Sequence, residues 1–180
     1  MEPVVRREIT KKGMQTSDII LVGALLAAGA VLRLITPSFF GITPNFAILM
    51  YCLAIYLIRP RFGEVIGISI VAAAICHFTS KSAVPYINFI SEPVGALVAF
   101  GLVLAPFKVK LGSFSFKPAL VTLFGTLASG LVYISTLKLV LLFRGTAGGK
   151  AYTALLLVVV TTAIANTVIA QLIYYPIKVA

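Results

Sequence analysis

Residues 151–175, AYTALLLVVVTTAIANTVIAQLIYY, run for 25 positions without a charged side chain. At about 1.5 Å per residue, a helix of that length exceeds the roughly 30 Å hydrocarbon core of a bilayer. Comparable apolar runs precede it at roughly 18–35, 44–58, 63–79, 92–106 and 118–142. This spacing predicts an all-α membrane protein, a bundle of six transmembrane helices. Residues 1–17 form a basic tail, and 18–180 form one membrane domain.

Composition supports lipid as the solvent. The chain has 180 residues, 60% of them hydrophobic and 11% charged, with a mean hydropathy of +1.08. Soluble domains carry about a quarter charged residues. Water cannot solvate so much apolar surface around so small a core. The net charge of +10 does not point to nucleic acid, because the basic residues fall between apolar runs and form no continuous stripe. Cys52 and Cys76 both lie inside apolar runs and away from any metal-ligand spacing, so neither a disulfide nor a metal site is expected.

Prolines punctuate the runs. Pro37 and Pro44 bracket the first connection, Pro60 marks the second, and Pro106 closes the fourth run. Pro118 suits the first turn of the fifth helix, and Pro176 is expected to close the sixth. Basic residues then set the orientation. Arg6, Arg7, Lys11, Lys12, Arg59, Arg61, Lys108, Lys110, Lys117 and Lys178 fall on one side, and only Lys81, Arg144 and Lys150 on the other. The positive-inside rule places both termini in the cytoplasm. The tail reads as cytoplasmic and leads into a retained helix, since no small-residue cleavage site follows a short apolar segment.

The opposite connections differ in character. Thr36 to Pro44 is uncharged and aromatic, and Thr79 to Ser91 carries Pro85, Tyr86, Asn88 and Phe89. Such loops suit contact with a ligand, or else form an interfacial aromatic belt. Three ionisable residues converge on that outer level: Arg33 near the end of the first run, Glu92 opening the fourth, and Lys138 late in the fifth. An intramembrane charge is a functional candidate by default. The plainer reading is snorkelling for Arg33 and Lys138, and a helix start behind a Ser91 cap for Glu92. His77 stands alone and reads as a packed histidine. Asn166 and Gln171 read as interhelical hydrogen-bonding groups.

Gly23, Ala24, Ala27 and Ala28 crowd the first run at helical spacing. They permit close approach by a neighbouring helix or by a partner subunit. Catalysis has little to work with. Glu2, Glu8, Asp18, Glu64 and Glu92 are the only acidic residues, and no paired carboxylate, HExxH motif, nucleophilic triad or phosphate-binding loop can be assembled. No enzyme activity and no cofactor are expected.

Several pieces together resemble a known family. They are the alanine-rich first helix, Pro37-x-Phe39-x-Gly41-x-x-Pro44, Pro60-Arg61 and Asn88-x-Ile90-x-x-Pro93-Val94-x-Ala96. They continue with Gly125-Thr126-x-x-Ser129-Gly130, Asn166-Thr167 and Tyr175-Pro176-Ile177. In this order, from about Thr16 to Ile177, the chain resembles the tryptophan transporter TrpP family, within the substrate-binding (S) components of energy-coupling factor transporters. The resemblance implies a six-helix bundle in a prokaryotic cell membrane that binds a small solute near the outer face. It also implies docking on a transmembrane coupling (T) protein with paired ATPase subunits, here through Ala24 and Ala28. The charge pattern at Arg33, Asn45, Ser91 and Glu92 departs from the one the resemblance implies. A different aromatic amino acid, or a vitamin-like heterocycle of the thiamine, pyrimidine or biotin kind, therefore stays open beside tryptophan, as does a non-transport assembly role.

For an amino-acid solute, the residues divide by chemistry. Glu92 would take the ammonium and Arg33 the carboxylate, with Lys138 as an alternative point charge and Asn88 adding amide hydrogen bonds. Phe39, Phe40 and Tyr133 would hold the apolar body.

Overall fold

A computed structural model of the chain describes residues 13–38, 44–107, 109–111, 114–145 and 151–179. It contains six α-helices: α1 (Thr16–Ile35), α2 (Phe46–Ile58), α3 (Phe62–Phe78), α4 (Asn88–Leu104), α5 (Lys117–Phe143) and α6 (Tyr152–Val179). A single 3₁₀ turn, Pro85–Ile87, leads into α4. Two short strands, β1 (Lys110–Leu111) and β2 (Phe114–Ser115), pair antiparallel between α4 and α5. The all-α expectation thus misses one small hairpin.

Four segments are long and apolar enough to cross a membrane: Thr16–Ile35, Pro85–Leu104, Lys117–Phe143 and Tyr152–Ile177. The other two helices are apolar but shorter, with 13 residues in α2 and 17 in α3. α2 is apolar all round, and a helix with no polar face must be enclosed. Ala47 through Ile55 are each at most 3% exposed. The remaining helices pack around it, so the core is a central rod inside a sheath. Ile19, Ile20, Val31, Ile70, Leu139, Ile164 and Leu172 stand exposed on the outside, as a lipid-facing surface requires.

The helix ends follow local chemistry. Asp18 accepts a hydrogen bond from the Gln15 amide at 2.9 Å and starts α1. Glu64 accepts from the Arg61 amide at 2.6 Å and from the Met14 amide at 2.7 Å, tying the entry of α1 to the start of α3. Asn45 caps α2, its side-chain oxygen accepting from the Ala47 amide at 3.2 Å. α2 ends on Arg59, which adopts left-handed geometry (φ 54°, ψ 59°) before Pro60. That conformation costs a non-glycine residue about 1 kcal/mol.

One proline reading needs correction, while Pro118 does sit in the first turn of α5. Pro176 lies inside α6, which continues to Val179. The helix expected to open at Glu92 begins at Asn88, so Ser91 and Glu92 lie within it and Ser91 is no cap. The Pro85–Ile87 turn starts the coil a full turn earlier.

Gly29 and Gly95 mark two close crossings. A Cβ on Gly29 would stand 2.9 Å from the Ala47 Cα, which is how α1 lies so near α2. A Cβ on Gly95 would meet the Ser129 Cβ at 2.8 Å and the Gly125 carbonyl at 3.0 Å, where α4 crosses α5. The other small residues of α1 behave differently. Gly23, Ala24, Ala27 and Ala28 are all exposed on the outside of the bundle.

Candidate functional site

Six segments converge on one cavity at the end of the bundle where α1 finishes and α2 begins. Its walls include Arg33 from α1, Asn45 at the cap of α2, Ser80 and Ser82 between α3 and α4, and Asn88, Ser91 and Glu92 from α4. α5 contributes Thr126, Ser129 and Tyr133, and α6 contributes Val158, Val159 and Thr162. The cavity volume is about 50 Å³, which holds only a few waters.

The polar groups are buried deeply. Glu92 is 1% exposed and Arg33 3%. The Glu92 carboxyl group accepts from the Asn45 side-chain amide at 2.5 Å, the Tyr51 hydroxyl at 3.1 Å and the Ser129 hydroxyl at 3.4 Å. Two helices besides its own, α2 and α5, therefore hold it in place. A carboxylate has about four lone-pair sites, so this set leaves capacity for another donor.

Arg33 makes a contrast. Its Nε and Nη1 are buried and have no hydrogen-bond partner among the described residues. The guanidinium lies within electrostatic range of Glu92, yet the donors bonded to that carboxyl are Asn45, Tyr51 and Ser129. Leaving buried donors of a cation unpartnered is costly. Arg33 thus lines the shared cavity with its Nε and Nη1 unpartnered among the described residues.

A second layer supports the first. Asn45 is the hub: its amide reaches Glu92, its side-chain oxygen also accepts from the Cys76 thiol at 3.4 Å, and its backbone carbonyl accepts from Asn166 at 3.0 Å. Asn166 donates as well to the Thr126 hydroxyl at 3.2 Å, joining α6 to α2 and α5. The interhelical role expected of Asn166 holds. Gln171 instead reaches the Ser115 carbonyl of the hairpin, at 2.9 Å.

Of the residues singled out from sequence, Arg33, Asn88, Glu92 and Tyr133 line this cavity. Asn88 directs its amide nitrogen to the Pro85 carbonyl at 2.6 Å, so that donor closes the turn before α4. Lys138 is half-buried, one turn beyond Ile134, and is not among the lining residues. Phe39 and Phe40 lie outside the described residues. His77 packs between Phe78 and Phe89 at ring distances of 5.2 and 5.6 Å, as a packed histidine should.

Sequence reasoning did not single out Tyr51 or Thr162, and it met Asn45, Thr126 and Ser129 only as parts of a resemblance. One signal was available. Thr122, Thr126, Ser129 and Tyr133 recur at i, i+4, i+7 and i+11 in an apolar helix, and all four are buried. A polar stripe of that period must face the bundle interior.

Comparisons with known proteins identify relatives of the chain. The family model described as tryptophan transporter TrpP matches residues 15–180. A relative from Bacillus subtilis (strain 168), named probable tryptophan transport protein, is 35% identical over 167 residues, covering 91% of each chain. No solved structure matches the chain. A multi-pass membrane chain with this match is a transport protein rather than an enzyme, and it belongs to the tryptophan transporter TrpP family.

Proposed function

We propose that the chain captures tryptophan in the Arg33–Glu92 cavity for uptake across a prokaryotic cell membrane. The observation that carries this reading is the pair itself: one buried carboxyl group and one buried guanidinium facing the same space, with the guanidinium's Nε and Nη1 lacking partners among the described residues. An amino acid presents an ammonium and a carboxylate together, and each needs an opposite charge once it leaves water. The carboxylate meets the Arg33 fork, and the ammonium meets Glu92. Tyr133, Ile134, Val158 and Val159 line the same cavity and receive the indole. A bicyclic solute is larger than the few waters that fit at present, so binding requires the Ser80–Ser82 wall to yield. Purified protein should retain radiolabelled tryptophan in equilibrium dialysis, and unlabelled tryptophan should displace it. Retention of a thiamine-, pyrimidine- or biotin-like compound instead would move the chain to a vitamin-specific role.

The chain acts in this reading as the S component of an energy-coupling factor transporter. It docks on a transmembrane coupling protein whose paired ATPase subunits supply the energy. The outward exposure of Ala24 and Ala28 supports this reading, because small residues on an outer face admit another helix backbone. Ala24→Leu combined with Ala28→Leu should abolish copurification with the coupling protein and leave solute affinity within about twofold, well under the tenfold that equals 1.4 kcal/mol. Undiminished complex formation by the double variant removes this face from the account.

All six helices span the membrane in this proposal, with both termini in the cytoplasm, as the basic-residue bias requires. A cysteine replacing Lys110 should resist an impermeant thiol reagent in intact cells, and one replacing Lys150 should react. Labelling of the position 110 variant from outside inverts the topology.

A further inference from the structure

A second cleft opens at the other end of the bundle, where α2 and α4 finish and α5 starts. Its lining includes Tyr56, Arg59, Phe107, Ser115, Lys117 and Tyr174, and about 580 Å³ of it admits the centre of a water molecule. None of its lining residues is acidic. Two cations therefore share one concave space with no carboxylate among its described lining residues, and Arg59 lies close enough to Lys117 to repel it.

The Lys117 cation is set in place by the fold. The Lys117 ammonium donates to the Val103 carbonyl at 3.0 Å and the Ala105 carbonyl at 2.7 Å, and lies 4.7 Å from the Phe107 ring centroid. An ammonium carries a third donor. Arg59 holds its left-handed backbone geometry, where glycine would be less strained, and its side chain lines the cleft. The Ser115 wall is fixed as well. Its amide donates to the Tyr175 hydroxyl at 2.7 Å, and its carbonyl accepts from Gln171. On the rim, Leu104 is 63% exposed and Phe116 38%, so apolar surface adjoins the charged hollow.

We propose that this cleft binds a phosphate group, and that its occupant in the membrane is the headgroup of an anionic phospholipid. The arrangement matches such a lipid in two respects. Basic pockets among helix ends at the membrane surface take anionic headgroups, and the exposed leucine and phenylalanine offer a path for the acyl chains. The phosphate sits between the Arg59 guanidinium and the third Lys117 donor, and Tyr56 and Tyr174 line the same cleft. The site is remote from the Arg33–Glu92 cavity and independent of what that cavity binds.

The test uses full-length protein in neutral detergent, with phosphatidylglycerol, phosphatidylcholine and inorganic phosphate as probes. Native mass spectrometry should show phosphatidylglycerol retained in preference to phosphatidylcholine, and the same lipid should raise the thermal midpoint. Arg59→Gln should weaken that retention at least tenfold and leave solute binding unchanged. Lys117→Met should act likewise; because Lys117 also satisfies carbonyls at the end of α4, the exposed Arg59 variant decides the matter if the other does not fold. Stabilisation by inorganic phosphate with no preference between the lipids would overturn the lipid assignment in favour of a soluble phosphate compound. Equal retention of both lipids without a phosphate effect would overturn the site. Intact lipid retention in Arg59→Gln, with loss of a partner subunit, would overturn it too and give the cleft to a protein.

Discussion

Replacing Glu92 with Gln, or Arg33 with Met, should each weaken tryptophan binding at least tenfold, about 1.4 kcal/mol or more, while the protein stays folded. Glu92→Gln keeps the shape and removes the charge that an ammonium needs. It also places an amide nitrogen near Asn45, Tyr51 and Ser129, all of which now donate to the carboxyl. Arg33→Met keeps much of the side-chain length and removes a cation whose Nε and Nη1 have no partner among the described residues. Arg33 lies within electrostatic range of Glu92, so its removal leaves that buried carboxyl without its cation. The Arg33 variant should therefore melt no higher than the parent, and its affinity should fall. Calorimetry and thermal unfolding on the same preparations separate the two effects. A folded Arg33→Met variant with parental affinity would take Arg33 out of the site.

Gly95→Val should be the most damaging single substitution in the interior. A Cβ at that position would lie 2.8 Å from the Ser129 Cβ and 3.0 Å from the Gly125 carbonyl, and it would crowd the Tyr51 hydroxyl closer still. A backbone oxygen cannot swing aside as a long side chain can, so α4 and α5 must separate. Overpacking of this kind costs about 1–3 kcal/mol for a methyl-sized addition, and valine adds more. Because Tyr51 and Ser129 both bond Glu92, solute affinity should fall with stability. Size-exclusion profiles after graded heating should show the variant aggregating well below the parent. A variant that melts with the parent would mean that the helices do not cross as closely as described.

The apolar runs made most of the fold legible, because burial in lipid or in a helical sheath demands long uninterrupted stretches. Arg33 and Glu92 were legible for the converse reason, since a charge in such a stretch is expensive. What sequence could not supply was pairing across distance. Asn45 announces itself as a helix cap after Pro44, but its bond to Glu92 spans 47 positions, and its bond from Asn166 spans 121. Lys138 shows the limit of reasoning by depth alone. It was matched to Arg33 and Glu92 by height in the membrane, yet Tyr133 and Ile134 face the cavity and Lys138 does not line it. The start of α4 escaped because the 3₁₀ turn before it carries no strong periodic signal. The hairpin between α4 and α5 is held by Tyr175 and Gln171 from α6, contacts that no local pattern reveals.

The most direct test of the account pairs each charge with the solute group it serves. Calorimetry should compare tryptophan with tryptamine, which lacks the carboxylate, and indole-3-propionate, which lacks the ammonium. The account predicts that Arg33→Met weakens binding of tryptophan and indole-3-propionate at least tenfold but leaves tryptamine affinity nearly unchanged. Glu92→Gln should do the reverse, sparing indole-3-propionate while weakening tryptophan and tryptamine. Equal losses for all three compounds in both variants, or no measurable binding of tryptophan to the parent protein, would contradict the claim that this pair brackets an amino-acid zwitterion.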